Sequence, residues 1–547
     1  MMFKKPAGVL MFLLVILKVL GTAETCRCST SSSPFFPPSF YCSCVSLNLT
    51  SVPQNLSTNI TSLNLEGNHI TTLSQSDFSQ YRSLDNLDLR QNRISIINPG
   101  AFYHLSNLTK LSLMFNGLTS LRSGMFTGLG KLETLFIYSN NISDIQDGTF
   151  SATPQLDVVY LSGNKLRTLR AGMFTGLGNL TGLFLGGNDI TSVQTGTFNT
   201  TPQLRSLYLN SNKLKTLTPD MFTGLGNLET LYLYGSDIGD IQAGTFNLIS
   251  QLKNLDLEHN HIQSIPSNSL SNLLQLTSLK LSYNNITAFP FEELSNIQTI
   301  STLHLDNNLL TTLTSTAYDV LSSLSDVSLD NNPWQCDCRM VDFKLKLTES
   351  TRRMVHLNKI IDSSTPFENQ ITCSQPDHLS GLNLKDIKLE NLFSGCFEPK
   401  IVRFERSDSM ELAQGEDLLA QLVCEASGIP TPTITIIPPS GLNATVESGV
   451  IFEDGNVTLR NVTAADAGLY VCIASNPVGS TFAIFSTEVV KPVSSPRFTL
   501  PVFVGSVSGA VAGTVVLGAI VLTIWRRTCA KSSSVALDTG VALTTQL

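Results

Sequence analysis

The chain has 547 residues, which exceeds the size at which one hydrophobic core keeps growing, so several domains or a repeat array are expected. Its 35 basic and 43 acidic residues give a net charge of −8. No long basic run could neutralise a phosphate backbone, so nucleic-acid binding is not expected.

The amino-terminal segment is typical of a secreted protein. Residues 1–23 join a basic start to an apolar stretch and small residues ending at Ala23, which predicts a cleaved signal peptide. An even set of ten cysteines in residues 24–491 suits five disulfides in an oxidising compartment. Eleven Asn-x-Ser/Thr sequons add an independent sign of secretion. They are Asn48, Asn55, Asn59, Asn107, Asn141, Asn179, Asn199, Asn285, Asn443, Asn456 and Asn461.

Residues 58–331 repeat with a period of 24. Asparagine recurs in register, and Leu-x-Leu or a close variant stands ahead of each position, which gives the core pattern of a leucine-rich repeat. The asparagines are Asn68, Asn92, Asn116, Asn140, Asn164, Asn188, Asn212, Asn260, Asn284, Asn308 and Asn332, with Ser236 at the one break. Twelve such repeats predict an α/β leucine-rich-repeat solenoid, a parallel-sheet horseshoe in which each Leu-x-Leu is a short strand.

Two further rows in the repeats are expected to be structural. The asparagine amides should satisfy backbone groups of adjacent turns that would otherwise be buried without partners. A row of large apolar residues should fill the convex side. It contains Phe78, Phe102, Phe126, Phe150, Phe174, Phe198, Phe222 and Phe246, followed by Leu270, Leu294 and Tyr318.

Cysteine-rich segments protect both ends of the repeat array. Residues 24–57 and 332–397 resemble the amino- and carboxyl-terminal caps of extracellular leucine-rich-repeat proteins, through Cys-x-Cys pairs at both ends. The resemblance implies the disulfides Cys336–Cys373 and Cys338–Cys396 in the second cap. In the first cap it implies Cys26–Cys42 and Cys28–Cys44, although a longer Ser/Pro-rich insert separates the two cysteine pairs there.

Residues 398–491 lose the 24-residue period and show short alternating strands. Tyr470 stands two residues before Cys472, which is the tyrosine-corner signature of an all-β immunoglobulin-like sandwich with a Cys424–Cys472 disulfide. The core tryptophan usual in such domains is replaced by Ile436, which should weaken the packing without changing the fold.

The carboxyl-terminal part is predicted to anchor the chain. After a stalk at 492–500, residues 501–525 carry no charge and predict a transmembrane helix. Basic residues open the tail at 526–547, so the chain is expected at the plasma membrane as a single-pass type I protein with its ectodomain outside.

Three short features of this part suggest contacts. Gly505, Gly509 and Gly513 could support a lateral dimer, although glycine is common in membrane spans. Cys529 suits reversible palmitoylation, with an idle reduced thiol as the alternative. The terminus from Thr545 to Leu547 matches a weak PDZ-domain ligand.

The combined architecture resembles the transmembrane LRR-Ig family, which includes the LINGO, AMIGO and netrin-G-ligand receptors. This resemblance implies work as a cell-adhesion molecule or co-receptor, through homophilic or heterophilic binding of cell-surface or extracellular proteins.

Outward positions of the predicted strands define a candidate partner-binding face. In each Leu-x-Leu the central residue faces the concave surface, and five successive repeats place an aromatic ring there. We expect partner binding by Phe136, Tyr160, Phe184, Tyr208 and Tyr232, with Met114, Tyr138 and Tyr234 beside them. The alternative is that the rings stack on one another and only stabilise the sheet.

Other functional classes have less support. No metalloprotease, hydrolase or phosphate-binding motif is present, so neither an enzyme nor a metal or cofactor site is expected. An innate immune pattern-recognition receptor is a serious alternative because similar solenoids bind microbial ligands. A shed extracellular-matrix binding protein is another.

Overall fold

The computed structural model describes residues 25–31, 39–356, 367–406, 420–437, 450–453, 456–459, 468–487 and 503–505. The predicted signal peptide and cytoplasmic tail lie outside the described residues, as do Asn443, Asn461, Gly509, Gly513, Cys529, Thr545 and Leu547. The chain divides into two compact units, residues 1–335 with 346–385 and residues 336–345 with 386–547.

The first unit is built on one long sheet. Twelve three-residue strands, each displaced by 24 residues from the last, pair in parallel and in register, and a hairpin extends the sheet at its amino-terminal edge. The strands are Arg27–Ser31, Ser39–Ser43, Ser62–Asn64, Asn86–Asp88, Lys110–Ser112, Thr134–Phe136, Val158–Tyr160, Gly182–Phe184, Ser206–Tyr208, Thr230–Tyr232, Asn254–Asp256, Ser278–Lys280, Thr302–His304 and Asp326–Ser328. The predicted leucine-rich-repeat solenoid is confirmed.

The core forms because no repeat can bury its own leucines. Leu183 and Leu185, for example, are fully buried between neighbouring repeats. The asparagines make the predicted hydrogen bonds to the backbone of adjacent turns. The Asn140 amide nitrogen donates to Leu113 O at 3.0 Å and Ile137 O at 3.1 Å, while its oxygen accepts from Leu118 N. These bonds pair backbone groups that would be costly to bury alone.

The phenylalanine spine, defined as Phe78, Phe102, Phe126, Phe150, Phe174, Phe198, Phe222 and Phe246, is buried throughout. Its rings stack two by two, with centroids 5.9 to 6.4 Å apart in each pair. Small parallel strand pairs follow the same two-repeat grouping. They are Thr72–Leu73 with Ile96–Ile97, Ser120–Leu121 with Asp144–Ile145, Thr168–Leu169 with Ser192–Val193, and Thr216–Leu217 with Asp240–Ile241.

A glycine allows a close approach between two neighbouring repeats that belong to different stacked pairs, those of Phe150 and Phe174. Gly176 has a φ of +103°, and a Cβ added there would lie 2.6 Å from the carbonyl oxygen of Phe150. Only glycine adopts this backbone conformation readily and leaves that space open.

The implied disulfides of the amino-terminal cap are wrong. The structure has Cys26–Cys44 and Cys28–Cys42 instead of Cys26–Cys42 and Cys28–Cys44. The reason is local geometry, since the two cysteine pairs lie on the two strands of an antiparallel hairpin whose register places Cys28 opposite Cys42. In such a hairpin the first cysteine meets the last.

The carboxyl-terminal edge of the sheet is closed by a side chain. Gln370 donates to Val327 O at 2.9 Å and accepts from Leu329 N at 2.6 Å, so it occupies backbone groups that a further strand would otherwise pair with. The short helices of the repeats are Gln75–Phe78, Pro219–Phe222, Phe291–Leu294 and Ser315–Ser323. The segments that follow the repeats are Trp334–Gln335, Cys338–Met340, Val341–His356, Cys373–Gln375, Asp377–Leu379, Leu384–Asp386 and Leu389–Phe393.

The second unit contains the Cys338–Cys396 disulfide that the resemblance implied. Cys336 and Cys373 are each disulfide-bonded as well.

Two four-stranded sheets complete the second unit. One orders Phe397–Arg406, Ala420–Ile429, Asn456–Leu459 and Val450–Glu453, and the other orders Thr433–Ile437, Gly468–Asn476, Gly479–Thr487 and Phe503–Gly505. The Cys424–Cys472 disulfide links the two sheets. Ile436 lies opposite Cys472 and is buried with Tyr470 and Phe404, so it takes the core position predicted for it. The predicted immunoglobulin-like sandwich is confirmed.

One strand corrects the predicted start of the membrane segment. Residues from Pro501 were expected to begin a helix, but Phe503–Gly505 pairs antiparallel with Phe482–Ile484. An exposed sheet edge needs hydrogen-bond partners, and aromatic and β-branched residues suit a strand, so these residues extend the sandwich. In the described parts of the chain, no helix is both long and apolar enough to cross a membrane. Gly505, predicted in a helix–helix contact, lies in this strand.

Candidate functional site

The five central rings lie side by side on the face of the sheet that points away from the leucine core. Neighbouring centroids from Phe136 to Tyr232 are 4.8, 4.4, 4.3 and 4.7 Å apart. This spacing follows from the strands, because in-register parallel strands lie about 4.8 Å apart and repeat the same side-chain position at that distance. We call these five residues, Phe136, Tyr160, Phe184, Tyr208 and Tyr232, the aromatic row.

The aromatic row is only half buried, which distinguishes it from the spine. Neighbouring rings cover part of one another, and each ring keeps part of its surface accessible. Burial raises the pKa of Tyr208, the fourth ring, and the neighbouring tyrosines add to this effect, so its hydroxyl stays neutral and able to donate a hydrogen bond.

Further aromatic side chains flank the row. Tyr234 lies 6.3 Å from Tyr232, and Tyr138 meets the ring of Phe115 edge-on at 5.4 Å. Met114, next to Phe115 in the chain, is half buried. The contacts therefore join Tyr234 to the aromatic row and Tyr138 to Phe115.

Phe115, His259 and Tyr283 are surface aromatics that the sequence interpretation missed. Each directly precedes a ladder asparagine and has a positive φ of 54 to 57°. Phe115 and Tyr283 are half exposed, and Tyr283 stacks on His259 with centroids 4.3 Å apart. Other repeats carry Gly, Ser, Asn or Gln at this position, so the presence of an aromatic ring was the available signal.

The row ends in a pocket. The Tyr232 ring turns to 83° from Tyr208, and the next position along the sheet is the short side chain of Asp256. Because Asp256 is shorter than the ring before it, the surface of the sheet face is recessed at this position. A pocket of about 230 Å³ results, lined by Tyr232, Asn254, Leu255, Asp256, Ser278 and Lys280.

Charges differ between the two ends of the face. At the amino-terminal end, Arg90 contacts Glu66 at 2.6 Å and Asp88 at 3.2 Å, so both carboxylates have a cationic partner. At the carboxyl-terminal end, burial raises the pKa of Asp256, and burial together with the charge of Asp306 raises that of Asp330.

Two other groups affect the electrostatics of the carboxyl-terminal end of the face, which we call the acidic end. Burial opposes ionisation of Asp306, but hydrogen bonds from Ser282, Ser328 and Asn307 outweigh it and lower its pKa. The His304 ring lies between two carboxylates, with Nε2 3.0 Å from Asp326 and Nδ1 3.6 Å from Glu258.

The sequons of the amino-terminal cap and the repeats leave the aromatic row open. Eight of these asparagines are exposed in the structure, and none occupies an outward strand position beside the row. They are Asn48, Asn55, Asn59, Asn107, Asn141, Asn179, Asn199 and Asn285. Within the described ranges, no group of three or more His, Cys, Asp or Glu side chains could hold a metal ion.

Comparison with known families agrees with both folds. The model "Leucine rich repeat" matches residues 58–118, 106–166, 131–190, 179–238, 227–286 and 250–310, and the model "Immunoglobulin domain" matches residues 398–476. Both families are typically non-enzymatic.

Curated relatives combine the same two modules in their names. The human "Leucine-rich repeat, immunoglobulin-like domain and transmembrane domain-containing protein 3" is 29% identical over 172 residues, 30% of this chain and 22% of the relative. The mouse "Leucine-rich repeat and immunoglobulin-like domain-containing nogo receptor-interacting protein 2" is 33% identical over 135 residues, 24% of this chain and 22% of the relative. The matches thus span less than a quarter of each of these two relatives.

A solved structure shares the fold. A chain in the octameric complex of latrophilin 3, Unc5D and FLRT2 has a TM-score of 0.52 and 23% identity, covering 68% of this chain and 98% of that one. Together with the two family models and the named relatives, the repeats and the sandwich assign this protein to the proteins that combine leucine-rich repeats with an immunoglobulin-like domain.

Proposed function

We propose that this protein is a single-pass cell-surface glycoprotein that binds other proteins, as an adhesion molecule or a co-receptor, and that the aromatic row is its main contact. The observation that carries the proposal is the uninterrupted run of five half-buried rings, four stacked and the fifth edge-on, at strand positions without sequons. Exposed aromatic clusters rimmed by polar residues are characteristic of protein interfaces.

Stacking alone is a weak reason for such a row. Each aromatic pair contributes about 0.5 to 1.5 kcal/mol beyond its buried area, and the solenoid core is already filled by leucines and the spine. Polar side chains serve the same strand position in other repeats, for example Asn64 and Ser328. The rings are therefore not needed to form the sheet, and a partner gives them a role that sheet stability does not.

A cell-surface location is supported by the predicted signal peptide, the exposed sequons and the apolar segment that ends before Arg526. Relatives are named as transmembrane domain-containing proteins, and others as Nogo receptor-interacting proteins. These names support the proposal that the repeats lie outside the cell, where the sheet face would meet partner proteins.

The test is binding by cells that display the full-length chain. Wild type and the double variant Phe184→Ala/Tyr208→Ala are compared for cell aggregation and for capture of a library of soluble cell-surface ectodomains. We expect binding to fall at least about tenfold in the double variant, because central aromatic residues carry most of the energy of an interface.

Tyr103→Ala is the matched control. Tyr103 is an aromatic residue with 55% exposure that follows Phe102 of the spine, away from the sheet face, so its removal should leave binding unchanged. Equal binding by wild type and the double variant, at equal surface expression, would show that the row is structural. Binding of microbial material alone would replace this proposal with an immune-recognition function.

A further inference from the structure

The pocket at the end of the aromatic row has the size of a subsite. Its volume of about 230 Å³ is smaller than the roughly 300 to 1,000 Å³ of a typical small-molecule site, so it suits one side chain of a larger partner. It adjoins the row directly, since Tyr232 belongs to both. A protein seated on the row would therefore cover the pocket.

The pocket is lined by the carboxylate of Asp256, whose loss of water on burial is only partly offset by other groups. Asp256 accepts one hydrogen bond, from Glu258 N at 3.1 Å. Burial is the largest effect and raises the pKa of Asp256. The hydrogen bond from Glu258 N lowers this pKa and the charge of Glu258 raises it, while Lys280 and His259 lower it. The ion pairs formed among the described residues do not include one between Lys280 and Asp256. A cation that enters the pocket would stabilise the ionised carboxylate of Asp256 and so compensate for the water that burial removes from it.

The walls and the surroundings favour the same charge. The Tyr232 ring offers a face or an edge against which a cationic side chain can pack, and the lining residues Asn254 and Ser278 carry oxygen acceptors. On this end of the face the carboxylates outnumber the cationic side chain of Lys280. They are Asp256, Glu258, Asp306, Asp326 and Asp330.

We infer that this pocket receives the side chain of an arginine or lysine from the protein that occupies the sheet face, an inference that rests on the proposed function. Asp256 pairs with the cation, Tyr232 packs against its stem, and the neighbouring carboxylates attract it during approach. The pocket thus selects partners with a basic residue beside an apolar contact surface.

The experiment measures the preference of the pocket for a cation in the full-length chain on cells. A thiol is placed in the pocket with Ser278→Cys. Its reaction rates with trimethylammonioethyl methanethiosulfonate, a cation, and sulfonatoethyl methanethiosulfonate, an anion, are then compared. The matched control is Ser206→Cys, because Ser206 holds the same strand position three repeats earlier. Asn254→Cys repeats the measurement at a second lining position.

We expect the ratio of cationic to anionic rate to be at least about tenfold higher at Ser278→Cys than at Ser206→Cys, because a cleft lined by one sign of charge concentrates the opposite ion. Adding Asp256→Asn should bring the ratio close to the control. A ratio at Ser278→Cys equal to or below the control would overturn the inference.

Partner binding separates this inference from the proposed function. Asp256→Asn should weaken binding in the assay that uses Phe184→Ala/Tyr208→Ala, and should reduce its dependence on salt. If the aromatic double variant loses binding while Asp256→Asn keeps it in full, the role of the pocket is wrong and the proposed function stands. Full binding by both variants would contradict the proposed function itself.

Discussion

The solenoid carries two rows of stacked aromatic rings with the same 24-residue period, one on each side of its leucine core. The spine rings are fully buried and pair at 5.9 to 6.4 Å, whereas the rings of the aromatic row are half buried and their neighbouring centroids lie 4.3 to 4.8 Å apart. The spine serves every repeat from Phe78 to Phe246, but the aromatic row serves only five. A residue type that recurs in every repeat therefore indicates a structural role. A residue type that occupies the same position in only a few repeats indicates a candidate functional site.

The largest expected difference between the rows is in stability. Phe174→Ala in the spine should lower the free energy of unfolding by about 3 to 5 kcal/mol, because it leaves a cavity in a packed core. Phe184→Ala in the aromatic row should lower the free energy of unfolding by about 1 to 2 kcal/mol, because that ring is only half buried and its loss opens no enclosed cavity.

Denaturant titration of the two variants beside wild type measures this difference. Partner binding by folded Phe174→Ala should remain at the wild-type level. Equal losses of stability in the two variants would mean that the aromatic row belongs to the core, and the functional distinction between the rows would not hold.

A smaller effect tests how the spine is assembled. Gly176→Ala should lower the free energy of unfolding by about 2 kcal/mol, since a Cβ there would lie 2.6 Å from Phe150 O and the φ of +103° is unfavourable for alanine. Gly178 lies in the same repeat, has ordinary φ and has nothing within 4 Å of an added Cβ.

Gly178→Ala is therefore the matched control, and it should be neutral or stabilising by up to about 1 kcal/mol. Thermal unfolding of both variants gives the comparison. If Gly176→Ala is tolerated as well as Gly178→Ala, the packing of one stacked pair of spine rings against the next does not depend on this close approach.

Most of the fold could be predicted because it repeats. Each leucine, asparagine and phenylalanine position is sampled about a dozen times, so the strands, the ladder and the spine follow from the period. The amino-cap disulfides occur once, and they depend on whether Cys28 meets Cys42 across a hairpin, which spacing alone does not determine. Phe503–Gly505 was misassigned because a short apolar run suits either a strand or a membrane helix.

The candidate site could be predicted only in part. The aromatic row could be predicted because the repeat pattern fixes the strand position of each ring. A parallel sheet then brings equivalent positions of neighbouring strands together. The pocket was not visible, since it arises from the turn of the Tyr232 ring and the short side chain of Asp256. Phe115 and Tyr283 lie outside the strands, in a left-handed backbone column that the sequence interpretation did not consider.

The smallest predicted effect concerns Asp256, where the aromatic row meets the acidic end of the face. Because burial raises the pKa of this carboxyl, the folded state favours its protonated form, and ionisation costs stability at pH values above the folded pKa. Asp256→Asn should therefore be more stable than wild type at pH 7. The advantage should shrink as the pH falls through the folded pKa and vanish below the unfolded value of about 3.9.

Unfolding of both proteins across this pH range measures the effect, with Asp88→Asn as the control at the same strand position. Asp88 lies 3.2 Å from Arg90, so its neutralisation removes an ion pair and should bring no gain at pH 7. Lower stability of Asp256→Asn at pH 7 would mean that the carboxylate is satisfied within the chain. A gain in stability, accompanied by weaker partner binding, would mean that the charge is kept for the partner, as expected where function and stability compete.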